Sequence, residues 1–153
     1  MVTRVETQAA DKSPASKSKA APRKRRSAVD KPRLPIVLDS SCWIEHFADT
    51  ERRSFFAEAV SDVHLLIVPI ITIYEVIKKV TREAGDEVAA QALTLMLQGQ
   101  VVELSLDVAL QATRSGLPLA DSLIYATAQS CGAELWTQDA HFEGLPGVRY
   151  FNK

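Results

Sequence analysis

Between Leu34 and Phe47 the chain reads L-P-I-V-L-D-S-S-C-W-I-E-H-F. A short apolar run ends on one carboxylate, Asp39. Two hydroxyls follow, Ser40 and Ser41, and then a segment with Trp43, Ile44 and Phe47 at helical spacing. That order predicts a buried strand, a polar turn and a helix. A strand without polar alternation needs cover on both faces, as in a parallel sheet layered by helices. Asp39 then stands at the strand's carboxyl end, the edge where open α/β sheets bind ligands and metals.

The rest of the chain continues the alternation. Asp49 or Thr50 is placed to cap a second helix, Glu51 to Asp62. His64 to Pro69 reads as a strand. A helix follows from Ile70 to Ala84, stopped by Gly85, and another from Asp86, stopped by Gly99. Val101 to Ser105 is a further strand. Leu106 to Ser115 is helical up to Gly116. Pro118 suits the first turn of a helix running through Cys131. Ala133 to Thr137 and Val148 to Phe151 complete the strands. The class is α/β, with a central, mostly parallel sheet of about five strands. Trp43, Tyr125, Trp136 and Phe142 are spaced as core residues.

Charge divides the chain where hydropathy does. Residues 1–33 carry ten Lys/Arg against three acids, a balance of +7, and residues 34–153 carry eight against sixteen, a balance of −8. The first segment has almost no large apolar side chains, so burial cannot offset its chain entropy and it reads as a disordered basic tail. Its cluster Arg23-Lys24-Arg25-Arg26 suits RNA phosphates or a nuclear-localisation patch, and equally a solubilising tail. A mis-called start, with translation beginning near Val29, is the other reading. Residues upstream of Val29 in the native protein's N-terminal peptides would exclude it. Residues 34–153 are one domain, since 153 residues with 46% hydrophobic content support one core and not two. No apolar run reaches about 18 residues, so no membrane span is expected. No secretory h-region opens the chain, and a cytoplasmic location follows. Cys42 and Cys131 lack any CxxC or Cys/His context and read as small reduced residues, not as a disulfide or zinc ligands.

Four acids stand at element ends or beside apolar runs: Asp39, Glu75, Asp121 and Asp139, separated by 36, 46 and 18 residues. Each has an ordinary role open to it. Asp39 suits a helix cap. Glu75 precedes Lys79 by four residues, the favourable order for a surface ion pair. Asp121 lies in a first helical turn, where the macrodipole welcomes negative charge. Asp139 suits a turn. Jointly they say more. Asp39 and Asp139 both follow apolar strands, and Glu75 and Asp121 both lie early in helices, so one sheet edge can collect all four. Carboxylates held together raise each other's pKa unless a cation neutralises them. Hard oxygen donors select Mg²⁺ or Mn²⁺. Such a site suits phosphoryl chemistry, because a metal makes hydroxide available near neutral pH and a second stabilises the leaving oxygen. Ser40, Ser41 and Thr137 could orient water or metal-bound groups, although ordinary turn chemistry covers at least one serine. His141 reads as a surface histidine beside Phe142, with a contact to substrate phosphate as the alternative. No P-loop, G-x-S-x-G elbow or H-E-x-x-H occurs.

Four pieces, I-V-L-D-S-S-C-W-I-E-H-F, V-P-I-I-T-I-Y-E-V, G-L-P-L-A-D-S-L-I-Y-A-T-A and L-W-T-Q-D-A-H-F, together resemble the PIN-domain family. Within it they resemble the VapC-type ribonuclease toxins of type II toxin–antitoxin systems. The resemblance covers roughly residues 34–152; the tail has no counterpart. It implies a PIN-like α/β/α sandwich and an endoribonuclease that cleaves single-stranded or structured RNA with Mg²⁺, or Mn²⁺, and so inhibits translation. It puts Asp39, Glu75, Asp121 and Asp139 on the catalytic positions. On this reading Asp39, Asp121 and Asp139 are expected to be the metal ligands; Thr137 falls where the family often has a hydroxyl near the metal, and Ser40, beside Asp39, is expected as a second supporting hydroxyl. It also implies a homodimer and a cognate antitoxin laid across the groove.

The rival reading is a PIN-like module that binds nucleic acid or a partner without turnover, using the tail as an electrostatic arm. It predicts salt-sensitive RNA binding lost on deleting residues 1–33. The four acids oppose it, since an unneutralised acidic cleft repels phosphate. A phosphatase-like site would want a second Asp where Ser41 stands. A receiver-like site would want a late Lys that Thr137-Gln138-Asp139 does not supply.

Overall fold

A parallel sheet of five strands forms the centre of the computed structural model, which describes residues 32–48 and 50–153. In chain order the elements are β1 (Ile36–Leu38), α1 (Ser40–Phe47), α2 (Arg53–Ser61), β2 (Leu66–Pro69), α3 (Ile70–Ala84) and α4 (Asp86–Met96). Then come β3 (Gln100–Val102), α5 (Leu106–Ala112), α6 (Leu119–Ser130), β4 (Glu134–Thr137), a 3-10 helix (Ala140–Phe142) and β5 (Val148–Tyr150). The strand order is β3-β2-β1-β4-β5, and every neighbouring pair is parallel. The chain leaves β1 toward β2 and β3 on one side, and reaches β4 and β5 on the other. The two directions part between β1 and β4, which opens a crevice at the carboxyl ends of those strands.

Strand alternation builds two cores. Ile36 and Leu38 of β1, Leu66 and Val68 of β2 and Trp136 of β4 face one layer, packed on α1 to α4 through Trp43, Phe56, Val76 and Met96. Val37, Ile67 and Leu135 face the other, against Ile124, Tyr125 and Ala128 of α6 and Phe142. Helix α5 packs on α6 through Val108, Ala112, Leu123 and Ala126. The α/β/α sandwich expected from the sequence is therefore the architecture. Trp43, Tyr125, Trp136 and Phe142 are all buried. Cys42 and Cys131 carry free thiols. Among the described residues no helix is long and apolar enough to cross a membrane.

Local departures from the expected boundaries have physical causes. Thr50 turns its hydroxyl to Glu45 at 2.8 Å instead of capping α2, and Arg52 occupies the N-cap without a side-chain capping bond. The other cap candidate, Asp49, lies outside the described residues, as does the basic tail before Pro32. Arg33, counted with that tail, ion-pairs with Glu58 and Asp62, each at 3.0 Å. Gly85 does stop α3, with φ +87, a backbone state that favours glycine. Gly99 does something else: α4 ends before it, and a Cβ there would sit 2.8 Å from the Leu66 carbonyl oxygen. Ser105 belongs to α5 as its cap and not to a strand, its hydroxyl accepting from the Val108 amide at 3.2 Å. Pro69 closes β2 and caps α3, which starts at Ile70 as expected.

Candidate functional site

The register of β1 and β4 pairs Leu38 with Trp136, and the Asp39 amide donates to the Trp136 carbonyl at 2.9 Å. One step further on, Asp39 and Thr137 stand side by side at the switch point. Asp39 is 2% exposed and caps α1, its Oδ1 accepting from the Ser40 amide at 2.7 Å. Its Oδ2 accepts from the Ser41 hydroxyl at 2.6 Å and from the Thr137 hydroxyl at 3.0 Å. The capping role and the cluster role expected as alternatives are thus combined in one carboxylate.

Hydroxyls extend the site in two directions. The Ser40 Oγ donates to Glu75 Oε2 at 2.9 Å while lying 3.4 Å from Asp39 Oδ1. That contact replaces the surface ion pair open to Glu75, because Lys79 pairs with Glu83 at 3.3 Å. On the other side the fully buried Thr137 Oγ1 accepts from the Asp139 amide at 2.9 Å. Ser41 is also engaged, its Oγ accepting from the Gln138 amide at 3.4 Å. Both serines therefore touch the cluster, where at least one was expected to serve only the turn. Their signal in the sequence is position: they are the two residues after the strand-end acid.

Asp139 caps the 3-10 helix, its Oδ1 accepting from the His141 amide at 2.9 Å. Asp121 enters from the first turn of α6, a helix buried from Ser122 to Ala128 that fixes the direction of the acid. The His141 Nδ1 lies 3.1 Å from Asp139 Oδ1 and 3.4 Å from Asp121 Oδ2. The sequence reading of His141 as a plain surface residue missed this contact. Two-residue spacing to Asp139 is the only local hint.

The charges feel one another. Asp121 is raised from 3.8 to about 6, by burial first and then by the charges of Asp39, Asp139 and Glu75, against a smaller opposing effect of His141. Burial also raises Asp39, opposed by the Ser41, Thr137 and Ser40 hydrogen bonds. Glu75 is raised by burial and by Asp39, with Ser40 opposing. The four sequence-derived acids thus converge on one edge, and Ser40 and Thr137 bridge between them. The donor set is mostly hard oxygen. It fits a divalent ion of the Mg²⁺ or Mn²⁺ class, which would relieve the repulsion that adds to burial in raising Asp121.

Solved structures with the same architecture include a toxin–antitoxin complex from Klebsiella pneumoniae, 23% identical, covering 74% of this chain and 95% of that one, TM-score 0.64. The sarcin–ricin loop cleaving toxin VapC20 of Mycobacterium tuberculosis is 19% identical over 74% of this chain and 98% of that one, TM-score 0.62. DNA-bound VapBC from Salmonella typhimurium is 21% identical over 77% and 97%, TM-score 0.62. No curated protein sequence matches the chain. The family model described as PIN domain matches residues 36–148, so the chain belongs to the PIN-domain family.

Proposed function

We propose that this protein is a metal-dependent endoribonuclease and the toxin of a toxin–antitoxin pair that inhibits translation. The observation that carries the reading is the convergence of four carboxylates at the β1/β4 crevice, where burial first and then the charges of Asp39, Asp139 and Glu75 raise Asp121 to about 6. Asp39, Asp121 and Asp139 would hold Mg²⁺ or Mn²⁺. A cation bound there lowers the pKa of water and neutralises charge developing on a phosphodiester. The chain's own groups do the positioning. Ser41 and Thr137 fix the Asp39 carboxylate from two sides. Thr137 also ties the Asp139 backbone to it. Glu75, held by Ser40, would complete the cluster on the α3 side and, with Asp139, position the attacking water.

RNA as substrate and an antitoxin as partner are supported by the similar solved structures, a sarcin–ricin loop cleaving toxin and toxin–antitoxin complexes among them. The reading includes a homodimer working in the cytoplasm. Leu106, Leu110 and Leu119, 73%, 55% and 78% exposed on α5 and at the start of α6, offer the apolar surface a second copy would bury.

The test replaces Asp39 and Asp121 by Asn together. Mg²⁺-dependent cleavage of RNA should be abolished, while circular dichroism and antitoxin co-purification stay as in the wild type. Cleavage that survives in the purified double variant overturns the assignment.

A further inference from the structure

The site holds one donor that an all-oxygen metal centre does not require. The His141 Nδ1 lies 3.1 Å from Asp139 Oδ1 and 3.4 Å from Asp121 Oδ2. One donor atom from each of Asp121, Asp139 and His141 lies within 4.8 Å of the other two, a spread that one cation can bridge. We propose that His141 is a nitrogen ligand of the cation held by Asp121 and Asp139, and that this chain therefore prefers Mn²⁺ to Mg²⁺. The inference rests on the metal-site reading above and adds to it a ligand and a selectivity.

Three features support ligation over an incidental surface contact. First, the backbone under His141 is fixed. Its amide donates to Asp139 Oδ1 at 2.9 Å. The next residue, Phe142, is fully buried in the α6-side core, its ring 6.3 Å from that of Tyr125. Second, the imidazole is 59% exposed, so its place between two carboxylates is not forced by packing. Third, the two acids it joins come from different elements, α6 and the turn after β4, so their meeting at His141 is made by the fold and not by neighbouring sequence.

The chemistry sets the selectivity. Mg²⁺ is hard, sheds water reluctantly and takes oxygen donors. Mn²⁺ shares with Mg²⁺ a liking for carboxylate oxygen, but it is also the first member of the transition series whose later ions take imidazole readily, so a nitrogen donor costs it less than it costs Mg²⁺. Two carboxylates and one imidazole thus keep the site open to Mg²⁺ while adding a bond that only the transition ion exploits well. The rival is that His141 only balances charge between Asp121 and Asp139 and turns away when a cation enters.

The experiment uses the full chain, stripped of metal. Mn²⁺ affinity is read from the electron paramagnetic resonance signal of free Mn²⁺, and Mg²⁺ affinity by competition, for the wild type, His141→Ala and His141→Gln. Loss of the ligand should weaken Mn²⁺ binding about tenfold or more, on the scale of metal-site substitutions, with Mg²⁺ affinity changed by no more than about twofold for want of a strong nitrogen bond. Wild-type protein labelled with ¹⁵N-histidine should show nitrogen hyperfine coupling to bound Mn²⁺, a readout that does not depend on a variant folding. Mn²⁺ binding without that coupling, or equal losses for both ions, overturns the inference and leaves the metal site standing. Absence of stoichiometric binding of either ion to the wild type overturns both.

Discussion

Replacing Asp121 by Asn should stabilise the metal-free protein while abolishing its activity. The carboxyl is raised from 3.8 to about 6 by burial and by Asp39, Asp139 and Glu75, a displacement that corresponds to about 3 kcal/mol against the charged form. Its side chain is 16% exposed, and solvent at the crevice mouth screens part of the repulsion, leaving about 1–2 kcal/mol. The folded state holds this proton to higher pH than the unfolded chain does. The destabilisation is therefore absent below about pH 3.8 and reaches full size as pH rises through about 6. Asn keeps the shape and removes the charge. In EDTA at pH 7.5 the variant should melt about 4–8 °C above the wild type, at near 4 °C per kcal/mol for a domain of this size. At pH 4.5 the gap should shrink to about a third, because the wild-type carboxyl is by then mostly protonated when folded. Saturating Mn²⁺ should reverse the order, since only the wild type keeps the full donor set and gains by mass action. Thermal melts by circular dichroism read all three. A variant no more stable than the wild type in EDTA at pH 7.5, or a gap that ignores pH, would refute the view that the acids strain one another.

Thr137→Val removes the hydroxyl between Asp39 Oδ2 and the Asp139 amide; urea unfolding should show a loss of about 1–3 kcal/mol, and Thr137→Ser should recover most of it. Gly99→Ala would press a Cβ to 2.8 Å from the Leu66 carbonyl oxygen and 3.0 Å from Val68 Cγ2, and the urea midpoint should report about 1–3 kcal/mol of overpacking. Ser40→Ala cuts the tie between Asp39 and Glu75; stability should change by less than about 1.5 kcal/mol, while Mg²⁺ affinity measured by calorimetry falls about tenfold.

The first strand, turn and helix were legible because a run such as Ile36-Val37-Leu38 has few ways to bury both faces. Its residues do split between the two cores, Ile36 and Leu38 on one side and Val37 on the other. Gly85 was legible because a helix stop is a local event. Gly99 was misread as another stop because its constraint, the approach of the Leu66 carbonyl, comes from a strand far away in the chain. Glu75 shows the same limit. Spacing offered it Lys79, but folding offered Ser40, 35 residues away, and spent Lys79 on Glu83. The acids could be nominated from sequence since strand ends and helix starts tend to share one sheet edge. The hydroxyls that lock them, and the histidine between two of them, depend on a register such as Leu38 opposite Trp136, which no local pattern prints.

The site's charge also bears on how substrate arrives. Residues 34–153 carry sixteen acids against eight Lys/Arg, and four of the acids share one crevice. Lys78 is the lysine whose charge reaches Glu75, and its ammonium lies 3.3 Å from the Tyr74 hydroxyl; Arg52 donates to Gln138 Oε1 and to the Asn152 carbonyl, each at 2.8 Å, and Arg149 stacks 4.3 Å from the Trp136 ring centroid. On the proposed reading, a phosphodiester entering the metal-free crevice meets net repulsion. The divalent ion then conditions substrate binding as well as cleavage, and the coupling is reciprocal: RNA in the groove must tighten the ion by the same factor that the ion tightens RNA. An acidic domain can act on an acidic polymer on those terms. Burial and mutual repulsion both disfavour the charged acids in the empty site, and a bound cation would recover the repulsive part.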